Sequence, residues 1–174
     1  MSMRHVTAVA LLTWASPALS EDKPSVRVQD DGTVVGRLLI DADASHIKKA
    51  IPGLQDANAS SQVVEARMVP NGSCNDIFRK TRGLWRPLEM QTRFCPTTNG
   101  WREFLVQSSD FNAYETEWVL RPSAGGGTQV QLKVVSDVNL MVPTSAVRSS
   151  TVASVHETLK TLLDRVFKPK KKVD

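Results

Sequence analysis

Residues 62–136 carry the strongest constraint on how this chain folds. They form a series of short segments in which apolar and polar side chains alternate, each closed by residues suited to a tight turn. The segments are Gln62–Val69, Cys74–Arg82, Leu88–Cys95, Trp101–Ser108, Tyr114–Arg121 and Gln129–Ser136. Between them lie Pro70-Asn-Gly, Gly83-Leu-Trp-Arg, Pro96-Thr-Thr-Asn-Gly, Asp110-Phe-Asn and Gly125-Gly-Gly. Alternation with a period of two describes a strand with one buried face, and connections this short join antiparallel neighbours. The stretch predicts an antiparallel meander with one side on a covering layer and the other in water.

Upstream, Val26–Gln29 and Thr33–Ile40 flank Asp30-Asp31-Gly32 and read as strand, turn, strand. Asp41-Ala-Asp-Ala-Ser45 supplies cap residues for a short helix over His46–Ile51, which Pro52-Gly53 stops, and a second helical turn follows around Leu54–Asn58.

The two cysteines fix a register. Cys74 and Cys95 are centred on the same point as the loop Gly83–Arg86, so a four-residue hairpin loop sets them directly opposite each other. The same register pairs Asp76 with Arg93 and Lys80 with Glu89, and a slip of one residue loses all three matches. A disulfide between Cys74 and Cys95 is expected rather than a redox-active pair, which favours a Cys-x-x-Cys spacing. Two cysteines without nearby histidines make a poor metal site, and no metal is expected. The other side of the hairpin collects Asn75, Ile77, Arg79 and Thr81 with Leu88, Met90, Thr92 and Phe94. That mixture of apolar and polar groups reads as a cavity wall. Trp85, at the hairpin tip, reads as a mouth residue or as a cover for the loop.

The remaining segments extend the wall. Tyr114, Thr116, Trp118 and Leu120 share one side while Glu115 and Glu117 take the other; Val130, Leu132 and Val134 alternate with Gln131 and Lys133. Phe104 and Val106 read as the apolar side of their segment, against Arg102 and Glu103.

A helix closes the chain, with Pro143 at its first position. At 100° per residue, Val152, Val155, Leu159, Leu162, Leu163 and Val166 fall within about 60° of one line, a stripe suited to covering the sheet. Carried backwards, the line meets Arg148, with Ser145 and Ser149 beside it and His156 flanking the stripe. The C-terminal half therefore fills space and the N-terminal half leaves it. Arg148 either points into that space or runs past the sheet rim into water.

The ends differ in character from the middle. Arg4 and His5, the apolar run Val6–Ala15 and Ala18-Leu19-Ser20 have the layout of a secretory signal peptide over residues 1–20, too short to span a membrane. Residues 21–167 make one domain, and a periplasmic or secreted location is expected. The net charge is +4. Without Arg4 it is +3, and residues 168–174, with four lysines and one aspartate, carry all of that. The domain itself is near neutral and has no basic face, so no nucleic acid is expected. The tail is read as a disordered, solvated end or as a weak contact with an anionic membrane surface.

Val34–Ala50 (VVGRLLIDADASHIKKA), Glu117–Asp137 (EWVLRPSAGGGTQVQLKVVSD) and the helix after Val142-Pro143 resemble the first strand and helix, the last two strands and the closing helix of the START/SRPBCC superfamily, which includes polyketide cyclase-like and birch-pollen-allergen-like proteins. The resemblance implies an α+β helix-grip fold: an antiparallel sheet of about seven strands wrapped round a long C-terminal helix, with two short helices after the first strand and a cavity between. It implies binding of lipids, sterols, polyketides or other apolar molecules, and it transfers no catalytic motif.

The reading that follows is an exported, noncatalytic monomer that binds or carries a lipid or other amphiphilic small molecule, without a cofactor. Met90, Phe94, Phe104, Tyr114, Trp118 and Val152 would be wall residues, and Arg148 or Arg79 would meet an acidic head group. The alternatives are a cyclase-like enzyme drawing on Arg148, Tyr114 and His156, and an interaction module with a filled core. The chain has no Gly-x-Ser-x-Gly elbow, His-Glu-x-x-His pair or phosphate loop.

Overall fold

The computed structural model describes residues 23–55, 61–83, 86–139 and 141–167. The expected signal peptide (1–20), the hairpin tip with Trp85 and the basic tail (168–174) lie outside them. The strands are β1 (Ser25–Val28), β2 (Val34–Ile40), β3 (Val63–Asn71), β4 (Cys74–Thr81), β5 (Leu88–Thr97), β6 (Gly100–Gln107), β7 (Phe111–Pro122) and β8 (Thr128–Val138). They form one antiparallel sheet in the order β1-β2-β8-β7-β6-β5-β4-β3. A short helix α1 (Ala44–Ala50) and a 3-10 turn (Ile51–Gln55) follow β2, and α2 (Thr144–Phe167) ends the described chain.

This is the helix-grip arrangement, with eight strands where about seven were expected, and with the short helices after the second strand. The eighth strand is the one that the strand, turn, strand reading of residues 26–40 gave and the resemblance did not count. Gln29 N–H donates to the Thr33 carbonyl at 2.8 Å and Gly32 N–H to the Gln29 carbonyl at 2.9 Å, which reverses the chain and lets Ser25–Val28 pair as a strand of its own.

The hairpin register holds throughout. Asp76 opposes Arg93, Ile77 opposes Thr92, Arg79 opposes Met90 and Lys80 opposes Glu89. Cys74 and Cys95 form a disulfide with their Cα atoms 4.3 Å apart. Ile77, Arg79, Leu88, Met90, Thr92 and Phe94 all turn inward and are buried, as the mixed face requires.

The main core lies between α2 and the β1–β2–β8 side of the sheet. Val155, Leu159, Leu162 and Val166 of α2 are buried against Val34, Leu38, Ile40, Val130 and Leu132, with Ile47, Ile51 and Leu54 closing one end. Gly36 sets the distance of closest approach: a Cβ there would sit 2.5 Å from Val155 Cγ1 and 2.6 Å from Leu159 Cδ1. A smaller apolar cluster of Leu88, Met90 and Phe111, supported by Leu105, Tyr114 and Val138, lies apart from the main core. The space between the two clusters is the cavity.

Candidate functional site: a cavity under the helix

Because α2 packs on β1, β2 and β8, the opposite wing of the sheet faces the helix across empty space. The resulting cavity has a volume of about 660 Å³, within the range of small-molecule sites. Its interior is not filled.

On the helix side the lining is Ala146, Val147, Ser150, Thr151, Ser154 and Thr158, with Val155 at the inner end. These are small residues at helical spacing, so α2 leaves room where a leucine stripe would close it. Thr151 Oγ1 donates to the Val147 carbonyl at 2.9 Å, which satisfies the hydroxyl within the helix. The sheet side is mostly apolar: Leu88 and Met90 from β5, Phe111 and Trp118 from β7, Leu132, Val134 and Val138 from β8.

A polar cluster interrupts that apolar wall. Arg79 of β4 and Glu103 of β6 form an ion pair at 2.8 Å, with side chains 6% and 2% exposed. Thr92 Oγ1 donates to Glu103 Oε1 at 2.5 Å, and Arg79 Nη2 donates to Gln55 Oε1. Burial works against the charge on Arg79, but Glu103 more than restores it, with Tyr114 adding to the effect, so the guanidinium stays protonated. The Tyr114 phenol is pushed up by loss of water and by the Glu103 charge, against the opposing pull of Arg79, and it remains neutral. Two polar atoms in this wall are left over. Arg79 Nε and Thr116 Oγ1 are buried without a hydrogen-bond partner, a state that costs about 1–3 kcal/mol per group when nothing fills it.

The mouth lies at the β4–β5 hairpin, where Arg82, Gly83 and Arg86 line it beside Val142. Asp110 holds this rim. It is 1% exposed and accepts from Arg86 at 2.5 Å and 3.2 Å and from Glu89 N–H at 2.8 Å. The hydrogen bond from Arg86 keeps its carboxyl below the usual value even though burial pushes the other way.

Of the residues singled out in the sequence, Arg79, Met90, Tyr114 and Trp118 meet in the lining. Phe94 is fully buried but lies outside it, stacked on Trp101 with ring centroids 4.6 Å apart. Phe104 faces the solvent side of the sheet, because Trp101, Glu103 and Leu105 take the inward positions of β6. Val152 packs on the main core. Arg148 is exposed and rests against the β1–β2 turn, its guanidinium 3.4 Å from the position a Cβ on Gly32 would occupy. His156 is exposed.

The sequence reading missed Glu103 and Gln55, and on the helix Val147, Thr151 and Ser154. One available signal was Trp101: once a tryptophan is taken as the inward residue of β6, Glu103 must follow it inside. Among the described residues no cluster of ligating side chains fits a metal ion, and no helix is long and apolar enough to cross a membrane.

No family model and no curated protein sequence matches this chain. Solved structures do. A START superfamily protein from Mycobacterium smegmatis superimposes with a TM-score of 0.62 at 16% identity, covering 79% of this chain and 99% of that one. A STAR-related lipid transfer protein from Xanthomonas axonopodis gives 0.62 at 17%, covering 87% and 98%. The Zhui aromatase/cyclase from Streptomyces sp. R1128 gives 0.57 at 10%, covering 77% and 90%. The fold of this chain is that of the START/SRPBCC proteins.

Proposed function

We propose that this protein binds a lipid or similar amphiphile in the cavity under α2, as a carrier and without chemistry. The observation that carries the reading is the wall itself: an apolar lining interrupted by one polar cluster of Arg79, Glu103, Tyr114 and Thr116. Burial of ligand hydrocarbon drives binding at about 25 cal/mol per Å² before ordering costs, and a polar group on the ligand meets the polar cluster. Glu103 already neutralises Arg79, so the group that fits is a neutral hydroxyl or carbonyl rather than a carboxylate or phosphate. That departs from the acidic head group expected earlier. The resemblance to the Xanthomonas lipid transfer protein supports the ligand class. The Cys74–Cys95 disulfide supports an exported setting, in which the basic tail makes weak contact with an anionic membrane surface.

A cyclase-like reading draws on the Zhui neighbour and on the meeting of Arg79, Glu103 and Tyr114. It ranks second because Glu103 is locked in an ion pair and the Tyr114 phenol is pushed away from neutral pH, whereas acid–base catalysis works best near it.

Native mass spectrometry of residues 21–174, before and after organic extraction, tests the proposal. A stoichiometric neutral amphiphile in the extract is the expected result. Absence of any bound species, together with no uptake of added sterol, diacylglycerol or fatty acid, overturns it. Preferential uptake of the fatty acid overturns the neutral head group alone.

A further inference from the structure

Among the described residues no strand pairs with the outer edge of β3, and that edge carries a sequence that matches itself. In Val64-Glu65-Ala66-Arg67-Met68, opposite charges flank Ala66 and apolar residues flank the charges. Val64 and Met68 are exposed, at 53% and 36%, and so is Val69. Long exposed edges with apolar side chains invite pairing by another strand.

We infer that β3 pairs antiparallel with β3 of a second copy, about a two-fold axis through Ala66, joining two sheets into one. The register follows from the strand itself. Asn71 and Cys74 flank the two-residue Gly72-Ser73 turn, so the backbone groups of Asn71, Val69 and Arg67 turn towards β4, and those of Pro70, Met68 and Ala66 towards the open edge. Pro70 fits this placement, since its missing N–H falls on the unpaired side. With Ala66 opposite its own copy, Glu65 faces Arg67 of the second chain, and the match occurs twice by symmetry. The outer face is prepared for it: Lys80 lies 3.5 Å from Glu65 and 3.4 Å from Glu89. The incoming Arg67 extends that row to Glu89, Lys80, Glu65, Arg67, with charges alternating across the junction.

Two features bound the pairing. The bulge at Val64 and the proline at position 70 confine it to the few residues around Ala66. So short a junction buries less than the roughly 1,600 Å² of a standard interface, and the dimer is weak and concentration-dependent. This replaces the monomer expected from the sequence, and it is independent of what the cavity holds.

Sedimentation velocity of residues 21–174, from micromolar to millimolar concentration, reads the equilibrium directly. A reversible dimer is expected. Arg67→Glu turns two opposite-charge contacts into two like-charge ones and weakens it about ten- to thirty-fold, and adding Glu65→Arg restores it. Thermal melts of each variant separate this from a folding defect. Directly opposed residues in such a pair have Cα atoms about 5.5 Å apart, within disulfide range. Ala66→Cys therefore forms a covalent dimer under oxidation far faster than Glu65→Cys. A monomer at every concentration, a single reversal without effect, or equal cross-linking at both positions overturns the inference.

Discussion

Arg79 and Glu103 meet at 2.8 Å on the inward face of the sheet, each contributed by a strand that flanks β5, and both are nearly sealed from water. They are the only salt-bridged pair among the described residues with both side chains below a tenth exposed. A buried charge without its partner is costly, whereas an apolar pair of similar volume is often tolerated. Glu103→Gln or Arg79→Met alone is expected to lower unfolding free energy by about 3–5 kcal/mol, measured by urea titration. Arg79→Met combined with Glu103→Leu should recover most of the loss while weakening ligand uptake. If the double variant is no more stable than either single one, the pair is not isolated in this way.

The small residues of α2 hold the cavity open, so filling it should cost little stability and much binding. Ser154→Leu is expected to change stability by less than about 1 kcal/mol, where the same enlargement in a solid core costs about 1–3 kcal/mol. Uptake of a fluorescent sterol or diacylglycerol should fall by about tenfold or more, equivalent to 1.4 kcal/mol or above. Unchanged uptake would place the ligand elsewhere.

Gly36 is required by contact rather than by backbone conformation. With Val155 Cγ1 at 2.5 Å and Leu159 Cδ1 at 2.6 Å from the position of a new Cβ, Gly36→Ala must push α2 off β2. The expected loss is about 1–3 kcal/mol, read as a lowered thermal midpoint. Gly125→Ala, where nothing lies within 4 Å, serves as the near-neutral control.

Acid should loosen the rim of the cavity. Arg86 holds the Asp110 carboxyl below its ordinary value of 3.8. The folded state therefore keeps Asp110 ionised where the unfolded chain binds a proton. Its contribution is fully present above the unfolded value and is lost as pH falls through the lower folded one. Hydrogen exchange at the Glu89 amide, which donates to Asp110 at 2.8 Å, should show reduced protection below pH 4, roughly where unfolded aspartates take up protons. Asp110→Asn should remove most of that pH dependence. Identical acid profiles for the two proteins would assign the loosening to other carboxylates.

Much of the architecture was legible from neighbouring residues alone. Cys74 with Cys95, Asp76 with Arg93 and Lys80 with Glu89 are cross-strand pairs set by the length of one loop, so the β4–β5 register needed no tertiary information. The same holds for β7 and β8, where Trp118 and Leu132 alternate cleanly with Glu117 and Lys133, and for the Val155–Leu159–Leu162–Val166 stripe of α2.

The site itself was decided at a longer range. Alternation along β6 says that Glu103 and Phe104 point opposite ways, but not which of them points in; a buried glutamate is acceptable only because Arg79 and Thr92, from two other strands, meet it there. Likewise α2 has two presentable faces at its N-terminal half. One carries Arg148, the other Val147, Thr151 and Ser154, and the packing of the helix onto β1, β2 and β8 turns the second towards the cavity. Local periodicity therefore determined the strands, their pairing and the closing helix, because those depend on residues a few positions apart. Which side chains share an interior, and where that interior stays empty, depended on how the finished sheet and helix approach each other, and only the tertiary structure decides that.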